Sequence, residues 1–314
     1  MQAALAEEPP VAAYVALDRL NNDAAFRAEY SMADAALMLE GRLLEYHAPT
    51  RFPEDRPSGD APNLRLVELF TCVDQPETAA AELAFRGLAE YFGEAGVSFV
   101  QYHLAQPTTD PLVTDAAETR ARFYEIARGP AARFDGGTAV DAGGSDKEID
   151  AVYRKYKAAA LAGSPAESAW QLTGHAAVSG DAITGGIDLV GPQGGPDLRL
   201  HVVLCERVVM APSANGVLMH YQVARTAVTP AEGLAVRPTS GTRHVPVEVR
   251  LPALSESLEA TLKRDEEAKG VEYRVRPTYV DAAACNLVAF LQHDTTRKVF
   301  AAVTINVSSA VPEP

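Results

Sequence analysis

Cysteine is scarce in this chain, with three in 314 residues, at Cys72, Cys205 and Cys285. That number excludes a disulfide-dense scaffold, and being odd it leaves at least one thiol free or paired between chains. Free cysteine packs as a small apolar side chain, so three buried thiols are the plain reading. Long apolar runs are also missing. Nothing approaches the run of about 18 apolar residues that a membrane-crossing helix needs. Positive charge is in short supply: 28 Lys and Arg stand against 42 Asp and Glu, for a net charge of −14. With no local Lys/Arg cluster to offset it, that balance repels a phosphate backbone and argues against nucleic-acid binding. No GxSxG elbow and no GxxxxGK[ST] loop is present, so serine-hydrolase and P-loop chemistry have no support. The seven histidines form no HExxH pair. His201 and Cys205 share a strand face but lie roughly 13 Å apart by strand rise, too far to hold one ion. No metal and no cofactor is expected.

What remains is an ordinary globular composition, 47% hydrophobic and 22% charged, long enough for two domains. Apolar residues at helical spacing (Val15, Leu20, Phe26, Tyr30, Leu37, Leu43, Leu44) predict an N-terminal helical segment over 1–50, broken near Asn21-Asn22-Asp23, with a face for docking. Residues 51–63, rich in Pro, Asp and Gly, read as a linker. Ala4-Leu5-Ala6, before Glu7, has the small-residue spacing of a secretory cleavage site.

From residue 64 the pattern changes. LRLVELF is a near-continuous apolar run, as for a strand buried on both faces. Pro76 can open a helix at its first turn, running through Leu83, Phe85, Leu88 and Tyr91. VSFVQYHL is a second strand, 115–127 a second helix, and 130–134 a third strand. A charged helix over 147–162 completes an α/β domain spanning 64–165. Residues 166–309 alternate apolar and polar with a period of two. They predict an all-β, sandwich-like domain with one helix at 255–269, capped by Ser255. A short tail follows at 310–314. Cys205 and Cys285 both fall on predicted strands of this domain and are a candidate disulfide; spacing alone does not decide it.

The segments LVELFTCVDQPETAAAELAF, FVQYHLAQPTTDPLVTDAAETRARFY and RGPAARFDGG resemble an exported thioredoxin-like family of planctomycete-type bacteria. There the first strand and helix read roughly LVELFTGAQCPPCVAADLAF. The resemblance extends more loosely over the β strands, to about residue 307. It implies a thioredoxin-like domain followed by a β domain, in the periplasm or otherwise outside the cytoplasm. The two positions matching the family's CxxC cysteines are Gln75 and Thr78, so the dithiol is lost. Neither residue can form a thiolate or a mixed disulfide. Pro130 matches the proline that is cis in thioredoxin folds, although here Gly129 precedes it. Cys72 matches a family glycine. It is a weak candidate for a single reactive thiol, because Asp74 and Glu77 beside it oppose ionisation. These features predict a redox-inactive binding or assembly subunit of a larger, envelope-associated complex. The rival readings are a monothiol oxidoreductase using Cys72 and a peptide-binding module using the groove beside Pro130.

Overall fold

The computed structural model describes residues 15–17, 19–20, 64–93, 96–137, 139–162, 169–192, 196–211, 214–236 and 241–308. Residues 15–17 and 19–20 are helical; the rest of the expected N-terminal helical segment, the linker and the tail lie outside the described residues.

The first layer is built from β1 (Leu66–Thr71), α1 (Ala79–Phe92), β2 (Ser98–His103), α2 (Asp115–Tyr124), β3 (Ala131–Phe134) and α3 (Ile149–Leu161). Strands β1 and β2 are parallel, whereas β3 runs antiparallel on the other side of β1. Every residue of β1 is buried because both of its faces are covered. Val67 and Leu69 pack with Ala84, Phe85 and Leu88 of α1 and with Val152 and Tyr156 of α3. Leu66 and Phe70 pack on the opposite side with Ala117, Ala121 and Tyr124 of α2. On that same face Glu68 sits fully buried in the middle of the strand. The Arg120 guanidinium donates to it from Nε at 2.6 Å and from Nη2 at 3.0 Å, and the Tyr124 hydroxyl donates at 2.7 Å. A buried carboxylate is tolerable only with such partners. In the sequence it hides inside an apolar run.

The second part comprises β4 (Gln171–Ser179), β5 (Ala182–Val190), β6 (Leu198–Met210), β7 (Met219–Ala227), β8 (Leu234–Val236), β9 (Arg243–Arg250), α4 (Leu251–Lys269), β10 (Cys285–Gln292) and β11 (Val299–Ser308). These strands continue the first sheet. The order is β3-β1-β2-β7-β6-β10-β11-β4-β5-β9, with β8 paired to β6. The two parts join where β7 runs parallel to β2, through the single register pair Gln101 and Val223. A second narrow join, two register pairs between β11 and β4, lets the sheet turn over on itself. Ile183, Ile187, Val245 and Val247 then share one core with Leu200, Val202, Leu204, Leu287 and Leu291. This is the packing of a sandwich made from one folded-over sheet.

The other face of β6, over His201, Val203 and Cys205, and that of β10 are buried as well. Val203, Cys205, Val288 and Phe290 join the core of β2 and α2. The chain thus changes element type near residue 166 while the core runs through. α4 begins at Leu251, with Arg250 as its N-cap and Pro252 in its first turn. The expected start at Ser255 is one turn late, because a first-turn proline fits a helix start as well as a polar cap does.

Candidate functional site

The site lies where β1 and β2 end and α1 begins. Cys72 follows β1 directly, and residues 76–78 form a single 3-10 turn that leads into α1. Gln75 and Thr78, the two degenerate dithiol positions, are both buried. The Thr78 hydroxyl lies 2.7 Å from both the Cys72 and the Gln75 carbonyl oxygens, on which it spends its proton. Gln75 donates from Nε2 to the Gln106 carbonyl at 3.4 Å. The Cys72 thiol is fully buried, 3.2 Å from Thr108 Oγ1 and 3.6 Å from the Thr109 carbonyl. Burial, reinforced by the charge of Asp110, pushes this thiol up to about 12.

The Gly129–Pro130 bond is cis. Gly129 lies so close to the end of β1 that a Cβ there would come within 2.8 Å of Thr71 Cα. The loop at Gly143–Gly144 closes over the same corner. Gly144 N–H donates to the Glu77 carbonyl at 2.7 Å, and Ala80 N–H donates to the Gly144 carbonyl at 2.9 Å. A Cβ on Gly143 would sit 2.5 Å from Pro130 Cγ. Beside this packed corner a cleft of about 510 Å³ remains, lined by Pro130, Arg128, Arg133, Glu77, Glu125 and Asp141 among others.

The second half of the chain also bonds to this corner. Asn215, between β6 and β7, donates from its backbone to the Val73 carbonyl at 3.1 Å. Its side-chain amide donates to Thr78 Oγ1 at 2.8 Å and to Glu82 Oε1 at 2.9 Å. Lys269, at the end of α4, donates to the carbonyls of Ala105 and Thr108. Asp110 N–H donates to the Tyr273 hydroxyl at 3.0 Å.

Beneath the corner is a buried polar cluster that sequence reasoning missed. Glu82 of α1, His103 at the end of β2 and His220 of β7 each bring one ligand-type atom within 4.8 Å of the others. Glu82 accepts from Thr71 Oγ1 at 2.8 Å and from Asn215 on Oε1, and from Gln101 Nε2 at 3.0 Å on Oε2. His220 Nδ1 lies 2.7 Å from the same Oε2. His103 Nδ1 lies 2.9 Å from Asp110 Oδ2, which also accepts from Val73 N–H. The two imidazole rings meet edge to face, 4.9 Å between centroids. Burial pushes the Glu82 carboxyl upward, but the His220 charge and hydrogen bond outweigh it and hold the group at about 2. Burial lowers His220 while Glu82 raises it, and the net direction is up. Such a set carries no sequence signature: His220 lies 138 residues from Glu82 along the chain, and only the β2–β7 junction unites them. His103 closes the apolar run SFVQYH of β2, and nothing in that run points to its partners.

Cys205 and Cys285 are free thiols, which corrects the candidate disulfide. They sit on adjacent strands, but Cys285 is opposite Glu206 and Cys205 is opposite Asn286. An offset of one residue turns two side chains to opposite faces of a sheet. Cys285 accordingly enters the sandwich core and Cys205 the core under α2. His201, on the Cys205 face, stacks on Phe290 with centroids 5.0 Å apart, and burial holds it well below the usual histidine range.

No family model matches the chain, and no curated protein matches it either. Among solved structures, a domain of the outer membrane lipoprotein Omp28 from Porphyromonas gingivalis overlaps 46% of this chain and 93% of its own, at 13% identity and a TM-score of 0.28. That score is too low to speak for a shared fold. HBP35 of Porphyromonas gingivalis aligns over 82% of this chain and 80% of its own, at 12% identity and a TM-score of 0.55. At that identity the likeness is one of architecture: the chain is similar to HBP35 in its mixed α/β fold.

Proposed function

We propose that this chain is a thioredoxin-type scaffold that has abandoned dithiol chemistry and works by binding a protein partner outside the cytoplasm, as an accessory or assembly subunit. The β2–β1–β3 order, the helices on both faces and the cis bond before Pro130 support the thioredoxin-type reading. The observation that carries the loss of chemistry is Asn215. Its amide is bonded to Thr78, one of the two degenerate dithiol positions, so the chain's own second half is packed against that position. Substitution alone would remove the sulfurs; the burial of Gln75 and Thr78 limits access as well. The burial of Cys72 weighs against the monothiol reading, since the thiolate is the reactive form.

The cleft beside Pro130 favours the peptide-binding version of the same idea. Its lining includes Arg128 and Arg133 together with Glu77, Glu125 and Asp141, which suits an extended segment bearing both charges. Two measurements test this reading. The purified chain is expected to leave insulin disulfides unreduced in the presence of dithiothreitol beyond the buffer rate; catalysis at a thioredoxin-like rate overturns it. Native mass spectrometry of the tagged chain from its own envelope fraction is expected to show a stoichiometric protein partner, released by Arg128→Glu. A chain that travels alone sinks the binding role, and a partner retained by Arg128→Glu sinks the cleft.

A further inference from the structure

We propose that Glu82, His103 and His220 form a buried binding site for a divalent transition metal, zinc foremost. Two imidazoles and a carboxylate are a borderline-soft set suited to zinc. The three ligand-type atoms lie within 4.8 Å of one another, and small side-chain shifts would bring them to the roughly 3.3–3.5 Å that ligands about 2.0–2.2 Å from a tetrahedral ion keep.

The surroundings supply an outer shell. A histidine that binds a metal through one nitrogen ordinarily donates its other N–H to a carboxylate or a carbonyl. His103 does so from Nδ1 to Asp110 at 2.9 Å, and His220 turns Nε2 to the Ala211 carbonyl at 3.4 Å. Glu82 is fixed in turn by Thr71, Gln101 and Asn215.

One feature goes beyond a self-satisfied polar cluster. The nitrogen that Asp110 leaves to His103 is Nε2, which is buried and has no hydrogen-bond partner. A buried polar atom without a partner is a standing penalty. The His220–Glu82 contact is compatible with the same ion. If Nε2 carries the proton toward Ala211, then Nδ1 offers a lone pair to the Glu82 carboxylate at 2.7 Å. That contact is repulsive unless a positive centre lies between the two atoms. A proton on Nδ1 can be that centre, but it leaves His103 Nε2 stranded. A metal ion serves all three atoms at once, and on binding it releases any such proton to solvent. Full burial of the three residues makes the ion part of the folded core, taken up as the chain folds. The binding reading above does not depend on this site.

The test uses the full chain, unfolded in chelator and refolded with or without zinc, then dialysed and assayed by metal analysis. One equivalent of zinc retained per folded chain and a raised melting temperature are expected. The cobalt-refolded chain should show the visible d–d bands of a low-coordinate nitrogen and oxygen site. His103→Ala should lose the metal, and His175→Ala, an exposed histidine on β4, should keep it. Should His103→Ala fail to fold, Asp110→Asn decides instead, with an expected weakening of about 10- to 100-fold. A wild-type chain that folds by circular dichroism yet retains neither zinc nor cobalt overturns the site. So does metal retained undiminished by His103→Ala or, where that variant does not fold, by Asp110→Asn.

Discussion

A thiol reacts as its thiolate, and each cysteine of this chain is placed where ionisation is opposed. Cys72 has its thiol pushed up to about 12, chiefly by burial, from an ordinary value near 9.0. Burial raises Cys205 and Cys285 as well. Below pH 9.0 the folded and unfolded chains both keep these protons, and this contribution to stability is intact. Above it the unfolded chain releases protons that the folded chain holds, so stability falls as pH rises from 9.0 toward about 12. Urea midpoints measured across that range should decline, and Cys72→Ala should flatten the decline; an unchanged slope would show that the thiol ionises freely in the fold. At neutral pH the native chain should react with a disulfide reagent at all three thiols far more slowly than the urea-unfolded chain. A fast-reacting thiol among the three would revive the monothiol reading.

At the scale of elements, α2 shows how a few polar atoms place a helix. Thr114 is its N-cap, in an extended conformation, and its side chain accepts from Ala117 N–H at 3.1 Å. Thr114→Ala should destabilise the chain by about 1 kcal/mol, read as a lower denaturation midpoint with an unchanged slope. Elements of this kind were legible in the sequence. Strands β1 and β2 read as apolar runs because both faces are covered, and α1 and α2 read from the spacing of residues such as Phe85, Leu88, Ala121 and Tyr124. Harder to read was anything that depends on register or on distant pairing. Cys205 and Cys285 miss each other by one residue across a strand pair, and nothing in their spacing shows it. The Glu82 cluster depends on β7 reaching β2, and that junction rests on one register pair. Glu68 was invisible for a different reason: its partner, Arg120, lies 52 residues on, in a helix whose polar residues read as a solvent face.

For the whole molecule, the shared core matters more than the change of element type at residue 166. Val203, Cys205, Val288 and Phe290 from the second half pack with Leu66, Phe70, Tyr102 and Tyr124 from the first. Removing the second half would strip that face and also leave the β2 edge unpaired, which is a template for aggregation. Residues 64–165 expressed alone should therefore be insoluble or lack dispersed amide resonances. The full chain should melt in one transition, at the same temperature by far- and near-ultraviolet circular dichroism. A folded, monomeric 64–165 fragment would contradict this account.

The β2–β7 junction also has a consequence for how the protein is made. Gln101 accepts from Tyr221 N–H through its side chain, across 120 residues of intervening chain. A ribosome working from the N-terminus produces β1, α1 and β2 long before it produces the strand that seals them. Throughout that interval the nascent first layer has an open edge and a half-covered core, so it cannot finish folding as it emerges. Such a chain is slow to commit to its fold, and it is most open to misassembly until its last strands arrive.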